Sequence, residues 1–180
     1  MTPTIPSTRR QQIIDAARRL LEEQGPEALS MRNVAAEIGI RAPSLYEHVT
    51  DKRALESAII ADALNEQGQA QMTFLETYDG DDPLPGIAKN YRQWAREHPH
   101  LYRLVFSRDL DRDEPAVVAA EQLAAQPMRR ITDGDVSASR AIWAFAHGMV
   151  SLELADRFPP DTDIDELWQR GIASLKGMLA

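Results

Sequence analysis

Apolar residues recur every three or four positions along almost the whole chain, the spacing that gathers them on one side of an α-helix. Residues 9–24 place Ile13, Ile14, Ala17, Leu20 and Leu21 on such a face. Thr8, with Gln11 three positions on, can form a capping box, and Gly25-Pro26 ends the segment. Ser30 is placed to cap a second helix over residues 31–38, with Met31, Val34, Ala35 and Ile38 inward, and Gly39 supplies the backbone freedom for a tight turn. Pro43 suits the first turn of a third helix, and Thr50 can cap a fourth that starts near Asp51 and runs past Leu64. Further helical segments are expected at 83–97, 99–107, 115–131, 135–157 and 163–179, with Pro127 either kinking or dividing one of them. No strand-type alternation lasts more than a few residues. The pattern predicts an all-α fold of about nine helices.

The third helix is the most informative. Laid out at roughly 100° per residue, it turns Leu45 and Val49 inward with Ala42 beside them, while Pro43, Ser44 and Glu47 occupy the opposite arc and Tyr46 and His48 its shoulders. A short helix with one apolar side and small or hydrogen-bonding residues on the other suits the major groove of DNA. Tyr46 and Lys52 can reach phosphates, and Arg32, early on the second helix, can reach a base edge or a phosphate. Glu47 can accept a hydrogen bond from a cytosine amine or lean back to Arg41.

Charge first looks unfavourable to that reading, because the chain carries −8 overall. Its distribution changes the picture. Residues 1–60 hold eight bases and eight acids, so the whole excess falls on residues 61–180. A balanced head on an acidic body fits a molecule that touches DNA with one end. With 0 cysteines, disulfides and thiol chemistry are excluded. The first ten residues lack the apolar centre of a secretory signal, and no apolar run is long enough to span a bilayer, which points to the cytoplasm. His98 and His100 flank a proline and read as surface histidines. The acids Asp109, Asp111, Asp113 and Glu114 lack the spacing and glycine of a calcium loop and read as a solvated loop. No metal or cofactor is expected.

Residues 8–55 resemble the DNA-binding domain of the TetR family of bacterial transcriptional regulators. The matching residues are Ile14, Ala17, Leu20 and Gly25, the run Ser30-Met-Arg-x-Val-Ala (30–35), Gly39, Pro-Ser-Leu-Tyr-x-His-Val (43–49), and Lys52 with Leu55. The resemblance implies that Ser30, Arg32, Ala42, Pro43, Ser44, Tyr46, Glu47, His48 and Lys52 occupy DNA-contacting positions. Tyr46 and Lys52 would hold phosphates, and Arg32, Ser44 and Glu47 would face base edges. Residues 141–154, with Trp143, His147 and Gly148, and residues 98–106 are similar to the C-terminal domain of a TetR subgroup named for its Trp, His and Gly.

The division expected is a helix-turn-helix domain over residues 1–55 and a ligand-sensing and dimerisation domain over 56–180, joined within the fourth helix. Helix 135–157 is apolar almost all round and must be buried. Its small residues Ala144, Ala146, Gly148 and Ser151 let another helix approach, and a second copy is the natural candidate, with the last helix (Ile164, Leu167, Trp168, Ile172, Leu175, Leu179) completing a four-helix interface. Tyr91, Trp94, Tyr102, Phe106, Trp143 and His147 are candidate contacts for a small apolar effector. The expected function is a homodimeric repressor on a palindromic operator, released by a small molecule. An all-helical enzyme would need a nucleophile beside a base, paired carboxylates or a metal cluster, and none has suitable spacing. A protein-binding module without DNA affinity is the third class.

Overall fold

The computed structural model describes residues 8–107 and 109–178, among which every regular element is helical. The expectations that fall on residues 1–7 and on Leu179, the absent signal peptide and the last apolar position of the final helix, lie outside the described residues. The chain divides into two compact units. One is formed by residues up to Ala63 together with His100–Ala119, the other by Leu64–Pro99 together with Ala120 onward.

The first unit begins with α1 (Arg9–Gln24), which buries Ile13, Ile14, Ala16, Ala17, Leu20 and Leu21. The Thr8 hydroxyl accepts from the Gln11 amide, but only half of the capping box forms: the Gln11 side chain turns forward to donate to Asp15 at 2.9 Å. Gly25 follows at φ 83°, a conformation that disfavours a side chain. One turn of 3-10 helix (Pro26–Ala28) leads to α2 (Met31–Glu37), capped by Ser30 through the Asn33 amide at 3.2 Å. Gly39 takes φ 66° in the turn to α3 (Ala42–Tyr46). The α3 helix is shorter than the sequence layout assumed, since residues 47–49 complete it as a turn in which His48 and Val49 both donate to the Leu45 carbonyl. The cap of α4 (Lys52–Thr77) is Asp51, not Thr50: its carboxylate accepts from the Ala54 amide at 2.8 Å, three positions into the helix, where a cap must reach. The unit also takes in α6 (Pro99–Ser107), whose Leu101, Tyr102, Leu104 and Val105 are buried.

In the second unit, α5 (Leu84–Glu97) buries Leu84, Ile87, Ala88, Tyr91 and Ala95. It packs against α8 (Val136–Leu154) and α9 (Ile164–Leu175), and α8 and α9 pack on each other. The α7 helix (Pro115–Ile131) runs unbroken through Pro127 as one α-helix. Glycines allow two close approaches here. A Cβ on Gly68 would lie 2.9 Å from the Ala124 backbone nitrogen, and one on Gly171 would collide with the Phe145 ring.

Arg92 ties three of these helices together. From α5 it donates to both carboxylate oxygens of Glu153 on α8, at 2.8 and 3.0 Å, and to Asp165 on α9. Its guanidinium also lies 5.6 Å from the Trp168 ring centre. The Asp165 carboxyl is held below its ordinary value, first by the Arg92 hydrogen bond and then by its charge.

Candidate nucleic-acid interface

The three-helix head positions α3 by burying one side of it completely. Leu45 is 0% exposed and Val49 4%, and α3 packs against α2, which packs on α1. Burying a leucine or valine side chain contributes about 1.5–3 kcal/mol, so these two residues fix the rotation of α3 about its axis. With that rotation fixed, Pro43, Ser44, Tyr46, Glu47 and His48 are exposed together. Tyr46 is 50% exposed, more than any other aromatic ring among the described residues.

The remaining candidates lie around that face. Ala42 is half-buried, and Ser30 is half-buried with its hydroxyl oxygen engaged as the α2 cap. Arg32 is exposed on the first turn of α2. Glu47 forms no ion pair with Arg41 among the described residues, so of the two sequence readings the lean back to Arg41 is not adopted. Lys52, at the start of α4, is half-exposed and lies 3.8 Å from Glu56. The head is braced by Arg18 on Asp62 at 3.3 Å, from α1 to α4, and by Arg19 near Glu37 at 3.8 Å, from α1 to α2.

The effector-contact candidates are distributed between the units. Tyr102 and Phe106, with ring centres 4.6 Å apart, belong to the first. Tyr91, Trp94, Trp143 and His147 belong to the second. Tyr91 is buried, and the half-buried Trp94 donates its indole N–H to Glu66 at 3.1 Å. Trp143 is 45% exposed and stacks on His147 at 5.5 Å. Helix 135–157 is expected to be covered in part by a second copy, and in one chain part of its surface is open. In a single chain α8 covers Ile142, Ala146 and Val150, while Val136, Trp143 and Leu152 face solvent.

Burial lowers the His147 imidazole from its ordinary value of 6.5. The unfolded chain therefore takes up this proton at a higher pH than the folded one. The resulting stability is fully present above the unfolded value and is lost as pH falls through it toward the folded value. The melting temperature should drop more between about pH 7.5 and pH 5.5 in the native chain than in His147→Gln. Equal drops would contradict the assignment.

Three residues have contacts that the sequence did not indicate. Gln71 is buried, donates to the Ile87 carbonyl at 3.0 Å, and has a side-chain oxygen that accepts no hydrogen bond among the described residues. Asp111 is not simply solvated, since it pairs with Arg53 at 3.4 Å. Neither Gln71 nor this pair has a local signal. Glu153 had one: it is the single acid within the apolar run 141–154.

The comparisons agree with this architecture. Residues 13–59 match the model of the bacterial regulatory proteins of the tetR family, and residues 84–175 match that of the tetracyclin repressor-like C-terminal domain. An uncharacterized HTH-type transcriptional regulator of Mycobacterium tuberculosis is 30% identical over 159 residues, covering 81% of this chain and 70% of its own. The class D tetracycline repressor protein of Escherichia coli is 31% identical over 102 residues, covering 57% of this chain and 41% of its own. Among solved structures, a TetR protein of Acinetobacter baumannii in complex with minocycline superposes with a TM-score of 0.66 at 23% identity, covering 94% of each chain. These relatives are regulators and not enzymes, and no described helix is long and apolar enough to cross a membrane. A helix-turn-helix head, with both parts of the chain matched by the family's models, makes this chain a member of the TetR family of DNA-binding transcriptional regulators.

Proposed function

We propose that the chain is a homodimeric repressor that grips a palindromic operator in the cytoplasm through the exposed side of α3 and is released by a small molecule. Residues 1–55 make the DNA contacts and residues 56–180 serve sensing and dimerisation. One observation carries the reading: Leu45 is wholly buried while its neighbours Ser44 and Tyr46 are both exposed, so a hydroxyl and a phenol stand on a rigidly oriented helix. In this reading Tyr46 and Lys52 hold phosphates. Arg32, Ser44 and Glu47 face base edges, and Ser30, Ala42, Pro43 and His48 complete the surface.

The dimer is supported by exposed apolar residues on α8 and α9. Val136, Trp143, Leu152 and Leu167 are exposed in one chain, and a Cβ on Gly148 would meet open space. A mid-helix glycine on an open face weakens the helix by roughly 0.5–1 kcal/mol relative to alanine, and close approach of another helix offsets that cost. The partner surfaces are residues 135–157 and 163–179. The effector is mostly apolar, in keeping with Tyr91, Trp94, Trp143 and His147 of the second unit. By binding one arrangement of the dimer better than another, it shifts the spacing of the two heads.

A gel shift on the DNA next to the chain's own gene tests the reading. Tyr46→Phe removes only the hydroxyl. About 1 kcal/mol is lost at each of two contacts, so affinity falls roughly thirtyfold, equally for all sequences. Arg32→Ala changes base preference instead. An unaltered shift with Tyr46→Phe would remove the phosphate contact from the account.

A further inference from the structure

Both bases at the start of α4, where a DNA backbone is expected to pass, are already engaged by acids of the same chain. Lys52 lies 3.8 Å from Glu56, and Arg53 Nε lies 3.4 Å from Asp111 Oδ2. Asp111 belongs to residues 109–114, which hold Asp109, Asp111, Asp113 and Glu114 against Arg112 and fold in the same unit as the helix-turn-helix. The two sides of the Arg53–Asp111 pair differ. The Arg53 side chain is 75% exposed and Asp111 only 24%. Asp111 is also set in a turn, its carbonyl accepting from the Glu114 amide at 3.1 Å. A fixed carboxylate thus holds a solvent-reaching guanidinium one residue from Lys52.

We propose that residues 109–114 act as a brake on DNA binding, with Asp111 withholding Arg53 from the phosphate backbone. Arg53 is then a further phosphate contact held in reserve. An exposed pair of this kind shifts an equilibrium by no more than about fivefold, so it is too weak to serve mainly as a fold-stabilising bolt. A phosphate can compete for the same guanidinium, because arginine pairs with it through two charge-assisted hydrogen bonds. The neighbouring acids lie within a few residues of Asp111, inside the ~10 Å over which charge is felt at 0.1 M salt, and they add repulsion. The inference rests on the reading of the α3 face as the DNA-contacting surface.

Binding is measured by fluorescence anisotropy on a short duplex of arbitrary sequence at low salt, where phosphate contacts supply nearly all the affinity, and on DNA next to the chain's own gene. Asp111→Asn should tighten binding about threefold to tenfold on both duplexes and steepen the salt dependence by about one counterion for each chain bound. Asp111→Ser should do the same. Arg53→Gln alone should lie within about twofold of the native chain, and adding it to Asp111→Asn should abolish the gain. Binding by Asp111→Asn that is unchanged or weaker overturns the brake alone, as does a gain that survives Arg53→Gln. A native chain that binds neither duplex overturns the regulator reading together with it.

Discussion

Trp143→Asp should leave each chain folded but convert it to a monomer, and binding to a full inverted repeat should fall by about a hundredfold or more. In one chain Trp143 is 45% exposed, its ring lying against His147. Its loss therefore removes little that a single chain needs. In the proposed dimer the same ring is covered by a partner, and a carboxylate there would be desolvated without a counter-charge. The large loss on DNA follows from linkage of two heads. The second head binds at an effective concentration set by the first, an advantage of roughly 10²–10⁴ that separate monomers lack. Light scattering and a titration on the inverted repeat measure the two effects. A dimeric Trp143→Asp chain would place the partner surface elsewhere.

Arg92→Ala should strongly destabilise the second unit. Glu153 has a side chain only 13% exposed and takes two hydrogen bonds from Arg92. Arg96 at 3.5 Å and the Trp168 indole N–H at 3.4 Å are longer contacts and replace them poorly. Removing one partner of a largely buried pair leaves a charge uncompensated, with a cost of about 3 kcal/mol. For a chain of this size that lowers the melting temperature by about 6–12 °C. The companion change Arg92→Met with Glu153→Met should recover much of the loss, because two well-packed apolar groups leave no stranded charge. Urea or thermal unfolding measures both. A melting temperature within a degree or two of the native chain after Arg92→Ala would show that α5, α8 and α9 are held by packing alone.

These expectations divide according to what a sequence can carry. The inward side of α3 was legible because Leu45 and Val49 are four positions apart on a segment whose caps and glycine turn are local signals. The Ser30 cap was legible for the same reason. The Asp51 cap was misplaced by one residue, since Thr50 and Asp51 both have side chains that can cap and only the backbone decides between them. The helix around Trp143 reads as buried because apolar composition does not say whose atoms cover it. Inward Ile142 and outward Trp143 are adjacent in sequence and equally apolar. Tyr102 and Phe106 could be grouped with Trp94 by type, but nothing local indicates that α6 folds with the head. Arg92 and Glu153 are sixty-one positions apart, and Arg53 and Asp111 fifty-eight. Pairs of that separation leave no periodicity to read.

The central claim is that the exposed side of α3 is covered by duplex DNA, and the absence of cysteine from the chain allows a direct test. Ser44→Cys introduces a single thiol in the middle of that side, and Glu23→Cys introduces one on the exposed surface of α1. Maleimide labelling is timed with and without the duplex that the native chain binds. The account predicts that DNA sharply slows labelling at position 44 and leaves position 23 unchanged. Labelling at position 44 that proceeds equally fast on saturating DNA would contradict it.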